Sequence, residues 1–233
     1  MESDSMGLKV TDLTKIYPHP KNPKIKIPIL SGVNFELKSV ELAFLVGSSG
    51  SGKSTLLNIL SGELTFDAGE VILNGKSLHI SNLLEKKQYM QNVRKVIQIP
   101  RLNLDFNLSL RDNLRLPLIL KSGFTREAQK NLINKCIKKL GLQNQINTSL
   151  NKLSGGELQR LAIGVSTIIP PKILLLDEPT SQLDSNNSQK VLDLIFEIIN
   201  NCKTIVLFTT HNESLISNGR ILRLVEGRIF EAN

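Results

Sequence analysis

Aromatic residues make up only 4 % of this 233-residue chain. A surface that stacks the bases of single-stranded nucleic acid needs many such rings, so the composition argues against that role. Cysteine is scarcer still. Cys136 and Cys202 show neither metal-knuckle spacing nor a disulfide framework, which fits a reducing, cytoplasmic setting. The three histidines, His19, His79 and His211, are scattered and do not compose a metal site. No apolar run approaches the roughly 20 residues of a membrane span. The acidic start MESDSMGLKV lacks the apolar core of a secretory leader, so no signal peptide is expected. Internal repeats, low-complexity tails, zinc-finger patterns and arginine-rich segments are also missing.

Lysine is plentiful, and the net charge is +8. Five lysines lie between Lys9 and Lys26, and a second basic stretch runs through Lys121, Arg126, Lys130, Lys135, Lys138 and Lys139. Basic surfaces attract nucleic acid or anionic membrane. A solvated lysine-rich surface is the simpler reading, and no direct nucleic-acid contact is expected.

Forty per cent hydrophobic residues suffice for a large core. Leu8–Leu13 and Val33–Leu37 alternate like half-buried strands, and the four prolines of YPHPKNPKIKIP between them predict a loop or a loose edge. Leu42–Val46 reads as a buried strand, Ser54–Leu60 as a helix stopped near Gly62, and Glu70–Leu73 as a strand before an Asn74-Gly75 turn. From Arg101 to about Thr167 strand patterns fade. Arg126–Leu140 is an amphipathic helix ended by Gly141, and a second helix runs from Gly155 to Ile168. Strands return at Ile173–Leu176, Thr204–Thr209 and Ile221–Leu224, with a helix over Gln189–Ile199. The alternation predicts an α/β fold with a mainly parallel sheet, an antiparallel N-terminal β part and a helical insertion. The expected boundaries are a core of residues 1–97 and 168–233 and a helical subdomain of residues 98–167.

The stretch GSSGSGKST, residues 47–55, fits G-x-x-x-x-G-K-[ST], with a buried strand before it and an apolar helix after it. Glycines let successive backbone N–H groups curl around a phosphate, and the loop ends where a helix N-terminus favours anions. Gly47, Ser48, Ser49, Gly50, Ser51, Gly52, Lys53, Ser54 and Thr55 are the expected nucleotide ligands. Lys53 bridges the β- and γ-phosphates and Ser54 offers a hydroxyl to Mg²⁺. ILLLDEP then places Asp177 and Glu178 at the C-terminal end of a buried strand, where open α/β sheets bind ligands. Asp177 suits the Mg²⁺ shell, and Glu178 suits polarising a water for attack on the γ-phosphorus. Two adjacent acids point to hydrolysis more than to transfer.

LSGGELQR, Leu153–Arg160, is a second anion nest that one nucleotide does not need twice. Here the sequence resembles the ATP-binding-cassette (ABC) ATPases, whose signature LSGGQ differs only by Glu157. The resemblance implies that Ser154, Gly155, Gly156 and Glu157 meet the nucleotide of a second cassette in a head-to-tail pair. It also implies that Tyr17 stacks on adenine, and that Gln98 touches Mg²⁺ and faces a membrane partner. Asp184 would belong to the D-loop, and His211 would sense the γ-phosphate. For Tyr17, Gln98 and His211 a local packing or hydrogen-bonding role is the alternative.

Asn113 and Leu116-Pro117-Leu118 resemble the lipoprotein-release, macrolide-export and cell-division cassettes. That implies ATP hydrolysis at the cytoplasmic face of a membrane, coupled to a separate integral membrane subunit. A nutrient-uptake cassette is the nearest alternative. A soluble factor acting on ribosomes or DNA is a more distant one. The chain departs from the subgroup at Ile97, Ser181-Gln182, Val40-Glu41 and Gly164-Val165-Ser166.

Overall fold

The computed structural model describes residues 7–78, 83–213, 216 and 219–232. His79 and the first six residues, where part of the leader argument rested, lie outside this range. Two sheets and a helical layer build the molecule. The first sheet contains β1 (Gly7–His19), β2 (Asn22–Lys38), β4 (Ala68–Leu73) and β5 (Lys76–Ser77), in the order β2-β1-β4-β5 and antiparallel throughout. The second contains β3 (Leu42–Val46), β6 (Val93–Val96), β7 (Ile173–Asp177), β8 (Ile205–Thr210), β9 (Arg220–Val225) and β10 (Arg228–Ala232), in the order β10-β9-β3-β8-β7-β6. Its pairings are parallel except for the β9–β10 hairpin. That hairpin turns at Glu226-Gly227, both at positive φ.

β3 is buried at all five positions, and its side chains alternate between two cores. Leu42, Phe44 and Val46 face the layer of α3 (Leu110–Lys121), α4 (Arg126–Leu140), α5 (Gly155–Thr167) and α6 (Ser185–Cys202). Ala43 and Leu45 face α1 (Lys53–Leu60) and the antiparallel sheet. The period of two in a strand buried on both faces explains why this run is apolar throughout. α2 (Leu83–Gln91) closes the second core by burying Tyr89, whose hydroxyl donates to the Leu60 carbonyl at 2.9 Å.

The proline-rich stretch is not a loop. β1 runs through Tyr17 to His19, β2 begins at Asn22, and Pro18 and Pro28 sit opposite Lys26 and Ile16. β2 is an edge strand, so a proline with no N–H to give is tolerated there, and the register shifts around these residues absorb the rest.

Two departures from the family pattern acquire physical content. Gly164 lies inside α5, where glycine costs about 1 kcal/mol against alanine. A Cβ there would stand 2.5 Å from Leu140 Cδ1 at the end of α4, so the glycine permits close packing of the two helices. Val40 turns the chain between β2 and β3 at φ 63, a left-handed conformation that a β-branched residue adopts with strain. Val40→Gly is therefore expected to raise the unfolding free energy by roughly 1 kcal/mol, the left-handed penalty less glycine's entropy. Urea unfolding followed by circular dichroism checks this, and an unchanged midpoint would show that the turn bears no strain.

Candidate functional site

The phosphate loop leaves β3 at Gly47 and enters α1 at Lys53. Gly50 and Gly52 have φ of 78 and 105, conformations that favour glycine. A Cβ on Gly47 would lie 2.6 Å from the Leu224 carbonyl, so the root of the loop is pressed against β9. No side chain caps the N-terminus of α1, which leaves its first-turn N–H groups for an anion. Lys53 is buried, and its ammonium donates to the carbonyls of Gly47 at 2.8 Å and Ser48 at 3.0 Å.

Asp177 is the last residue of β7. Glu178 follows at φ 45, a left-handed conformation that non-glycine residues adopt at a cost of about 1–2 kcal/mol. Thr209 on β8 is fully buried and serves both acids. Its hydroxyl oxygen accepts the Glu178 N–H at 2.9 Å and lies 2.9 Å from Asp177 Oδ1. The Glu178 carboxylate stands 3.9 Å from Lys53 Nζ and 3.2 Å from His211 Nδ1, and it accepts from Gln98 Nε2 at 3.3 Å. Gln98 also donates to Ser181 Oγ at 3.2 Å, and that hydroxyl donates back to the Glu178 carbonyl at 3.0 Å. Lys53, Gln98, Asp177, Glu178 and His211, spread over more than 150 positions of sequence, thus converge on one sheet edge.

Ser154 is the N-cap of α5 and forms a capping box with Glu157. The Glu157 carboxylate accepts from the Ser154 N–H at 2.8 Å and from its hydroxyl at 3.0 Å. Asp184 caps α6 with both oxygens engaged by Asn187, at 2.8 and 2.7 Å. These two hydrogen bonds hold the Asp184 carboxyl below the usual carboxylate range. Asn187 also reaches the signature. It accepts from Arg160 at 3.2 Å, and a Cβ on Gly156 would strike its side chain at 2.6 Å.

A cavity of about 400 Å³ is lined by Tyr17, Ile29, Lys53, Ser54, Gln98, Asp177 and Glu178 among others. Ser154, Gly155 and Gly156 line neither it nor the cavity of about 490 Å³ on the other flank of the loop. Tyr17 is partly exposed, with Lys15 Nζ 5.3 Å from its ring centre. Lys15 pairs with Asp67 at 3.5 Å, and Asp67 also accepts the Ile16 N–H. Free helix N–H groups, one ammonium and two hydroxyls suit a polyphosphate. Among the described residues no group of three or more His, Cys, Asp or Glu is placed to hold a metal. The Ser54 hydroxyl, Asp177 carboxylate and Gln98 amide instead fit Mg²⁺, which takes few protein oxygens and completes its shell with phosphates and water. Thr209, Ile29 and Lys15 escaped the sequence reading as site residues, whereas Ser181 entered it only as a departure from the subgroup. Only the position of Thr209, on the strand ending beside Asp177, gave a signal for any of them.

A phosphate loop after β3 and an acid pair after β7, on parallel strands with β8 between them, define a P-loop nucleotide hydrolase. The family model described as ABC transporter matches residues 30–181. An ATP-binding protein of Staphylococcus epidermidis (strain ATCC 12228) named for hemin import, HrtA, is 35 % identical over 225 residues, covering 96 % of this chain and 99 % of that one. The lipoprotein-releasing system ATP-binding protein LolD of Buchnera aphidicola subsp. Schizaphis graminum is 33 % identical over 231 residues, 98 % of each chain. The dimeric post-hydrolysis structure of the ATP-binding cassette MJ0796 with ADP and Pi superposes with a TM-score of 0.85 at 31 % identity, covering 97 % of this chain and 98 % of that one. This chain belongs to the ABC transporter family and is an ATP-binding, ATP-hydrolysing cassette subunit.

Thr209→Val removes the hydroxyl that serves both acids while keeping the side-chain shape. It is expected to destabilise the fold by about 1–3 kcal/mol, the cost of stranding a buried polar group. Chemical denaturation checks this, and an unchanged stability would mean that water replaces the hydroxyl.

Proposed function

We propose that two of these cassettes close head to tail over ATP and drive a separate membrane subunit for export, lipoprotein release or mechanical transmission. The observation that carries this is the Ser154–Gly156 nest. It is a helix N-terminus, which favours an anion, yet it lines neither cavity beside its own phosphate loop. A two-fold pairing gives each nest the other subunit's nucleotide. The solved relative named as dimeric supports the pairing.

In this reading Tyr17 stacks on the base while the loop N–H groups from Gly47 to Thr55 and Lys53 hold the phosphates. To reach them, the Lys53 ammonium leaves the Gly47 and Ser48 carbonyls. Ser54, Asp177 and Gln98 would hold Mg²⁺, which would supply positive charge against the phosphates. The Glu178 carboxylate orients the attacking water and takes its proton, while Thr209 fixes the backbone that aims it. His211 and Gln98, now in contact with Glu178, meet the γ-phosphate and its surroundings. The partner's Ser154 hydroxyl and nest N–H groups complete the cage, which is lost when the γ-phosphate leaves.

No helix among the described residues is long and apolar enough to cross a membrane, and the proposal places the chain at the cytoplasmic face, held by its membrane subunit. Exposed apolar side chains support such a partner. Ile99 and Leu102 stand on the turn after Gln98, and Leu116, Ile119 and Leu120 on α3. The division into an ATP-binding core (residues 1–97 and 168–233) and a helical subdomain (98–167) puts this apolar set on the subdomain. The LolD relatives favour the lipoprotein-release group, in which Asn113 and Leu116–Leu118 match. Asn113 is buried and pins the loop before α3 by hydrogen bonds with both Asp105 backbone groups at 2.9 Å. The HrtA relative, named for import, keeps an uptake role as the second reading.

Glu178→Gln is expected to keep ATP binding, slow turnover about a hundredfold or more, and accumulate an ATP-bound dimer. Phosphate release and light scattering read both effects, and a variant that turns over at the parental rate removes Glu178 from the role of base. Closure must also break the Ser154–Glu157 hydrogen bonds and bring a carboxylate near the γ-phosphate. Adding Glu157→Gln to the Glu178→Gln chain should lower the ATP concentration for half-maximal dimer about fivefold, the scale of removing one nearby like charge. An unchanged dimer curve would show that Glu157 sits clear of the phosphate.

A further inference from the structure

We propose that the ion pair between Arg223 and Glu213 is a positioning clasp for His211, holding the turn that carries it across the root of the phosphate loop. The proposal rests on the reading of His211 as the γ-phosphate contact.

The geometry begins with β3. Val46, its last residue, pairs with Thr210 of β8 on one side and with Arg223 of β9 on the other. Neighbouring strands lie about 4.8 Å apart, so Thr210 and Arg223 flank the exit of β3 at a separation of about 10 Å. The phosphate loop leaves through that gap at Gly47. His211 is the first residue beyond β8, and its side chain is 59 % exposed. Packing therefore does little to orient it, although it must stay near Glu178.

The turn after β8 is tied at two points. At its base, Thr210 Oγ1 accepts the Asn212 N–H at 2.9 Å. At its far side, the Glu213 carboxylate accepts from both terminal nitrogens of Arg223, at 2.5 and 2.7 Å. A forked pair of this kind fixes orientation as well as distance. Arg223 thus reaches over the end of β3 to the turn beyond β8. His211, Glu213 and Arg223 line the cavity of about 490 Å³ together with Ser48, Ser49 and Ser51 of the phosphate loop. Hydrogen bonding to the guanidinium holds the Glu213 carboxyl below the usual carboxylate range, so the pair stays charged through neutral pH. With side chains 40 % and 49 % exposed, the pair adds little to global stability. Its effect falls on position.

The test uses the full chain with R223E, E213R, the charge-swapped double variant and H211A. Steady-state phosphate release gives kcat and KM, and a fluorescent ATP analogue gives binding. The His211 imidazole signal, assigned through H211A among three histidines, gives a readout independent of turnover. Each single reversal is expected to lower kcat about fivefold or more, leave KM and binding within about twofold, and shift the His211 signal. The swap is expected to recover most of both effects. Single variants with parental kcat and an unmoved His211 signal overturn the clasp, as does a swap no better than the singles. If H211A keeps the parental kcat, the reading of His211 itself fails, while the imidazole signal still decides whether Arg223 and Glu213 position it.

Discussion

The parallel placement of β3 between β8 and β9, with β7 beside β8, is the constraint on which the site depends. Parallel strands share a direction, so their C-terminal ends emerge on one edge. The phosphate loop leaves β3 there, Asp177 and Glu178 leave β7, and His211 leaves β8. The sheet must be buried on both faces for this arrangement to be stable. That requires two separate cores, one under α1 and the antiparallel sheet and one under α3 to α6. The site is therefore precise because the strands beneath it are rigid, while its own groups stand partly exposed at the rim.

Those rim groups satisfy one another. The Lys53 ammonium rests on loop carbonyls, Glu178 gathers Gln98 and His211, and Glu157 takes the donors of Ser154. Each pairing uses a donor or charge that the nucleotide reading assigns to a phosphate or to the attacking water. Binding then combines the filling of the uncapped α1 N–H groups with an exchange of these internal hydrogen bonds for bonds to ATP, so part of its free energy is a difference between two satisfied states.

Legibility followed the physics of each element. GSSGSGKST, ILLLDEP and LSGGE were readable because each couples a backbone requirement to a chemical one within a few residues. Arg126–Leu140 was readable to both ends because an amphipathic period meets a left-handed Gly141, φ 65. The proline-rich hairpin was harder, since edge position and register shifts are properties of the sheet and not of the segment. α2 was missed because its apolar residues are largely exposed. Leu83 is 79 % and Leu84 74 % exposed, leaving Tyr89 as its one buried side chain among the described residues. Thr209 reaches Asp177 and Glu178 across the sheet, and Ser181 reaches Gln98 from the far side of the chain, so no local spacing marks either role.

The departures from the family pattern sort by the same logic. Gly164 is absorbed completely, because the helix propensity it loses is exchanged for the approach of Leu140. Val40 is absorbed only partly, because an exposed turn offers no neighbour to offset a strained φ. Ser181 is absorbed by reuse: its hydroxyl accepts from Gln98 and donates to the Glu178 carbonyl, joining two segments of the site. Glu157 differs from these three. Its carboxylate fits the present structure well, as a capping partner, and its charge matters only when a phosphate approaches Ser154. In the proposed pairing, a substitution that stabilises the separated subunit and opposes the closed pair would shift the balance between them, so the Glu157 capping box is where local helix stability and the proposed cycle would pull in opposite directions.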